Sequence, residues 1–201
     1  MHKFFSLNWI GALALGFVLL AGCDSKPGKT ANKEAHSVRY KKARNKEVQR
    51  IDSLENLIRQ EVKQQKDPDV RLAMYAIQAY QYFAADYPKD TLAPNYLFKA
   101  GQLYEGVLHN PEQAVKQYEK VYYKYPEFDK RGMSLFLAGN LYHTLNDTTK
   151  AIKAFETFRK DYPNHAFADD AAGMINLIRM SEAQQKEMFG GKQTLKPKKG
   201  V

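Results

Sequence analysis

The chain of 201 residues is 44% hydrophobic and 26% charged, enough for one domain with a sizeable core and too balanced for wholesale disorder. Its single cysteine excludes a disulfide framework and a thiolate metal cluster. The net charge of +9 sits in the flanks, +6 over 24–66 and +4 over 190–201 against −2 over 67–189, so the basic pI does not mark a nucleic-acid-binding fold.

Residues 1–22 open with Met-His-Lys and continue from Phe4 to Gly22 without a charge, the pattern of a secretory signal that is removed from the mature protein. The apolar centre, Ile10 to Ala21, is shorter than the roughly 20 residues a spanning helix needs, which favours a signal over a retained anchor. Leu20-Ala21-Gly22-Cys23 then resembles a bacterial lipobox. That resemblance implies lipidation of Cys23, with palmitate or a similar acyl chain, as the first residue of the mature chain. Multiple acyl chains give stable anchoring where one is marginal. The expected location is the bacterial cell envelope, at the outer membrane facing the periplasm. Asp24 resembles the enterobacterial signal for the inner membrane instead.

Residues 23–45 are rich in Lys, Ser, Gly, Asn and Thr with almost no apolar periodicity, and are expected to form a basic flexible tether. Their lysines, with the four of a disordered tail at 190–201, are candidates for contact with anionic lipid or cell-wall polymer. A folded region is expected over 46–189. Its first helix, about 46–65, carries the stripe Val48, Ile51, Leu54, Ile58 and Val62. The stripe covers barely two heptads, which favours packing on the next helix over a coiled coil. Asp67-Pro68 supplies a stop, an N-cap and a first-turn proline.

Beyond it the chain repeats itself. Tyr-Pro pairs stand at Tyr87-Pro88, Tyr125-Pro126 and Tyr162-Pro163, spaced 38 and 37 residues apart. Before them run Ala76, Tyr80, Phe83; Ala114, Tyr118, Val121; and Ala151, Phe155, Phe158. Between them Ala100-Gly101-Gln102-Leu103-Tyr104 is echoed by Ala138-Gly139-Asn140-Leu141-Tyr142, with Leu97 and Leu135 three residues ahead of each alanine. Helices are predicted over about 69–86, 92–108, 111–124, 130–145, 148–161 and 166–188, giving seven in all.

This pattern resembles the tetratricopeptide repeat (TPR). Leu135, Ala138, Gly139, Tyr142, Ala151, Phe155, Phe158 and Pro163 fall on the family's positions without a gap, and Leu97 to Pro126 match with one extra residue near Asn110-Pro111. The resemblance covers roughly 69–182 and implies an all-α fold, a short right-handed solenoid of antiparallel helix hairpins. Phe158-Arg-Lys-Asp-Tyr162-Pro163 followed by Ala168-Asp169-Asp170-Ala171 is similar, more narrowly, to the bacterial envelope members of the family, the BamD-like and YbgF-like proteins.

No catalytic residues are indicated. His2, His36, His109, His143 and His165 form no metal-type pair, no Gly-rich phosphate loop is present, and no serine or cysteine sits in a nucleophile motif. Neither an enzyme nor a cofactor is expected, and nucleic acid is not an expected partner. The TPR resemblance instead implies a groove lined by the first helix of each hairpin. Carried onto this sequence, its partner-binding residues are Asn95, Phe98, Gln102 and Glu105, then Met133, Phe136, Asn140 and His143. For Phe98 and Phe136 a core role between repeats stays equally open. Leu177, Met180 and Met188, off the packing stripe of the last helix, mark a second candidate surface. The implied function is an envelope lipoprotein that acts as a protein–protein interaction scaffold, in outer-membrane protein assembly or envelope maintenance. The alternatives are Tol-Pal or cell-wall coordination, an accessory subunit of a secretion system, and, last, a periplasmic enzyme.

Overall fold

A computed structural model describes residues 29–64, 69–180, 184 and 187. Among them are seven helices and no strand: α1 (Lys29–Lys63), α2 (Val70–Asp86), α3 (Ala93–Gly106), α4 (Pro111–Lys124), α5 (Arg131–Thr144), α6 (Thr148–Asp161) and α7 (Ala168–Arg179). The chain divides into two units, Met1–Arg39 and Tyr40–Val201. Of the first, the described residues are the opening turns of α1, with Glu34, His36, Val38 and Arg39 exposed. The second holds the rest, and in it the chief helix-on-helix packing, from α2 to α7, joins neighbours in sequence.

Helices α2 to α6 begin and end within two residues of the sequence expectation, whereas the two ends of the array differ from it. The segment read as a flexible tether up to residue 45 is helical from Lys29. Lack of apolar periodicity removes a reason to be buried, not a reason to be helical. Lys29 to Lys63 contains no proline or glycine and is dense in Ala, Lys, Arg and Glu, all strong helix formers. At the other end the expected helix 166–188 is interrupted: α7 stops at Arg179, where Met180 turns to an extended ψ of 141°, and Gln184 and Glu187 beyond it are helical again. The turn expected at Asp67-Pro68 lies outside the described residues, as do the signal segment, Cys23 and the tail.

Polar caps start the second helix of each hairpin. Asp69, Asn110 and Asp147 accept hydrogen bonds from the N–H groups of Arg71, Gln113 and Lys150. Directly before two of these caps the chain passes through the left-handed region, at His109 (φ 47°) and Asn146 (φ 59°). That bend lets the Asn110 and Asp147 N–H groups donate to Tyr104 and Tyr142 carbonyls at 2.8 and 2.9 Å, closing α3 and α5. The residue by which the first repeat exceeds the second lies in this loop, four residues after Gly106 against three after Thr144.

The Tyr-Pro pairs end the second helices. Tyr87, Tyr125 and Tyr162 cap α2, α4 and α6, their N–H groups donating to the Phe83, Val121 and Phe158 carbonyls. The proline that follows cannot extend the helix. Each tyrosine carbonyl then accepts from the residue three positions on, Asp90, Phe128 and His165, which fixes three equivalent turns.

The core follows the repeat. Ala76, Ala114 and Ala151 are fully buried, and the aromatics behind them, Tyr80, Tyr118 and Phe155, fill the angle between paired helices. Glycine is required where those rings meet the first helix. A Cβ on Gly101 would lie 2.5 Å from the Tyr118 ring, and one on Gly139 would lie 2.8 Å from that of Phe155. On α1, Ile51 is fully buried with Val48, Leu54 and Ile58 packed beside it, so the helix belongs to the array. Val62, counted on the same stripe in the sequence, is 61% exposed.

Candidate functional site

The first helices of the hairpins, α3 and α5, share a face with α7. The 38- and 37-residue spacings bring four positions of each into register: Asn95, Met133 and Asp170; Phe98, Phe136 and Gly173; Gln102, Asn140 and Leu177; Glu105, His143 and Met180. The third member of every set extends the sequence expectation by one helix, and these are the residues it missed. The signal that finds them is the repeat spacing itself, continued once more.

The two phenylalanines are core residues, which corrects their assignment to a partner groove. Phe98 is 4% exposed and Phe136 8%. Each is covered by the residue that precedes the next first helix. The Lys130 ammonium lies 5.3 Å above the Phe98 ring, and Phe167 stacks on Phe136 at 5.0 Å. Phe136 also meets Phe155 and Phe158 at 5.7 and 5.4 Å. Rings held on several sides in this way fix the spacing between hairpins.

Glu105 is also committed, accepting the Tyr118 hydroxyl at 2.9 Å and tying α4 to α3. Burial, and secondarily the Glu105 charge, pushes the Tyr118 phenol well above its ordinary range. The same motif ties α2 to α1, where Glu55 accepts the Tyr80 hydroxyl at 3.0 Å and pairs with Lys99 of α3 at 2.6 Å. His143 is half-buried, and its Nδ1 is a buried atom without a hydrogen-bond partner.

Asn95, Gln102 and Asn140 differ. Gln102 is exposed, Asn95 and Asn140 are half-buried, and their side-chain amides make no hydrogen bond with the described residues. Met133 lies between the two clusters of the core and packs against both. Amides of this kind, each offering a donor and an acceptor, can pair with the backbone of a bound chain.

Beside Asn140 the face opens into a hollow of about 410 Å³. Phe136 and Asn140 line it from α5, and Gly173, Met174, Leu177 and Met180 line it from α7. The two surfaces expected separately, the groove and the far side of the last helix, therefore meet in one concavity. Leu177 and Met180 are both half-buried there, while Met188 lies outside the described residues. Asp170 and Asn176 complete the lining, which includes no cation.

Among the described residues no group of histidine, cysteine and carboxylate side chains could hold a metal ion, and no helix is long and apolar enough to cross a membrane. The strong electrostatic perturbations belong to tyrosines that join helices. Tyr122, burial foremost and its bond to Asp161 second, is pushed up to about 12. Asp90, held by the Arg44 guanidinium at 2.8 Å, lies below the usual carboxylate range.

A tetratricopeptide-repeat family model matches residues 96–127 and 133–165, the α3–α4 and α5–α6 hairpins with the turns that follow them. Comparison with curated proteins finds no match. Two repeat units of the chain thus match the TPR model, and its helices stack as the hairpins of an all-α TPR-type solenoid, a fold that typically serves as a scaffold for interaction with other proteins.

Proposed function

We propose that this protein is a bacterial envelope lipoprotein, lipidated on Cys23, that holds another envelope protein against the face shared by α3, α5 and α7. The observation that carries the reading is the set of three side-chain amides on this face, Asn95, Gln102 and Asn140, the last two in register and Asn140 lining the hollow. Apolar contact with one side chain of a partner, together with hydrogen bonds to its backbone, is how a groove of this size takes an extended or helical peptide. The anchor rests on Leu20-Ala21-Gly22-Cys23, and Asp24 makes the inner membrane the alternative to the outer one. Likeness to the BamD-like and YbgF-like proteins points to outer-membrane protein assembly or Tol-Pal coordination as the machinery served.

The test is affinity capture from detergent-solubilised envelopes with the wild-type chain and an Asn95→Ala, Gln102→Ala, Asn140→Ala variant. Each lost hydrogen bond removes about 0.5–1.5 kcal/mol. The variant should therefore hold its partner at least tenfold more weakly, with an unchanged circular dichroism spectrum. Equal capture by a folded variant refutes the face assignment. Cys23→Ser should abolish incorporation of labelled palmitate and release the protein from the membrane fraction, and continued labelling would refute the anchor.

A further inference from the structure

The hollow between α5 and α7 has a specific origin. In α3 and α5 the register position holds a phenylalanine, and each ring is covered, by Lys130 in one case and Phe167 in the other. In α7 the same position is Gly173, and a Cβ built there meets nothing within 4 Å. The neighbouring sites change in concert. Gly101 and Gly139, which admit an aromatic ring of the following helix, correspond to Asn176, which is exposed. The last first-helix thus lacks the aromatic that its predecessors place between hairpins, and Gly173 leaves an open stretch in the wall of the hollow that Phe136 lines from α5.

We infer that the C-terminal segment of this same chain, residues 181–201, docks in the hollow, with Phe189 in the space vacated at Gly173 and its lysines against Asp169 and Asp170. Three observations select this occupant. Helix α7 ends at Arg179, and the next residue, Met180, lines the hollow and turns the chain off the α7 axis through its extended backbone. Nine residues then separate Met180 from Phe189; Gln184 and Glu187 among them are helical, and even at the helical rise of about 1.5 Å per residue they span roughly 13 Å, comparable with the width of a cavity this size. Phe189 is the one aromatic side chain of the segment, and Lys192, Lys196, Lys198 and Lys199 follow it with no acidic residue. The lining of the hollow offers a carboxylate and no cation.

Tethering gives the segment an effective concentration on the order of millimolar, so even a weak site is filled in cis. A partner that uses the hollow must then displace the tail. The inference concerns the same face as the scaffold reading but needs no partner to exist, so the two fail separately.

The test uses the full chain in detergent with the photo-crosslinking residue benzoylphenylalanine at position 189, and mass spectrometry to locate the product. The expected result is an intrachain crosslink to peptides within 133–143 or 168–180. Gly173→Phe restores the side chain found in the other two helices and should reduce that product at least fivefold while helicity is unchanged. Asp169→Lys with Asp170→Lys, on the exposed rim, should reduce it several-fold at low salt and serves if Gly173→Phe perturbs folding. Crosslinks elsewhere in the chain, between two copies only, or none at all would overturn the inference. So would a yield that neither variant lowers.

Discussion

Glycine plays opposite parts at two places in this fold. At Gly139 a methyl group would sit 2.8 Å from the Phe155 ring, which Phe136 holds from one side. Gly139→Ala should destabilise the protein by about 1–3 kcal/mol, the range for overpacking a fixed core. At Gly173 nothing opposes the methyl, and Gly173→Ala should stabilise by about 0.5–1 kcal/mol through helix propensity alone. Urea midpoints of the two variants, measured against wild type, check both signs. Two shifts in the same direction would contradict the packing described. The repeat spacing made the first glycine legible in the sequence, because Gly101 and Gly139 echo one another before a buried aromatic. The openness at Gly173 was not legible. It depends on how α7 sits beside α5, which is a property of two helices rather than of one residue.

Among the elements, α1 departs furthest from what the sequence suggested. Its packing stripe was visible as Val48, Ile51, Leu54 and Ile58, but the turns before Lys46 carry charge with no periodicity, and pattern reading has no handle on a helix that buries nothing. Exposed helix is set by backbone propensity, whereas amphipathic helix is set by packing, and only the latter writes a period. Its attachment to the array is polar as well as apolar. The Arg44 guanidinium donates to both Asp90 oxygens, at 2.8 and 3.2 Å, so α1 is fastened to the turn that follows the first Tyr-Pro pair. The Arg44 hydrogen bond, more than the Leu92 N–H, depresses Asp90. A carboxylate with a depressed folded pKa contributes stability that is complete above its unfolded value of about 3.9 and is lost as pH falls through the folded one. Arg44→Gln should cost on the order of 1 kcal/mol at pH 7, and the difference from wild type should vanish once Asp90 is protonated. Denaturation of both proteins at pH 7 and at pH 2 measures it. A difference that persists undiminished in acid would assign the effect to packing of the arginine stem.

Over the whole molecule the tyrosine hydroxyls form a ladder of interhelical ties: Tyr80 to Glu55, Tyr118 to Glu105, Tyr142 to Glu119 and Tyr122 to Asp161. Burial is the leading cause in each case, and it pushes Tyr96 and Tyr122 up to about 12 and Tyr80, Tyr118 and Tyr142 higher still. A raised folded pKa leaves its contribution intact below the unfolded value near 10 and removes it as pH climbs toward the folded value. The melting temperature should therefore hold steady to about pH 9.5 and fall steeply above pH 10. Tyr118→Phe, lacking one ionisable group, should lose less between pH 9 and pH 11. Circular dichroism melts across that range settle the point, and a parallel decline of the two proteins would contradict it.

The aromatic content and the repeat period were both plain in the sequence, and together they specified the hairpins and their order. The carboxylate partners were less so. Glu105 carries the register of a groove residue, and only the depth of Tyr118 turns it inward.

The nearest-neighbour packing of these helices bears on how the fold is reached. Since α3 through α6 each rest on the helix before and the helix after, no closure of a long loop precedes the first stable contact. A chain delivered N-terminus first, whether from a ribosome or across a membrane, can lock each hairpin onto the last as it emerges. The native order of assembly is then the order of synthesis, and the α5–α7 end, with its open hollow, is the last to be completed.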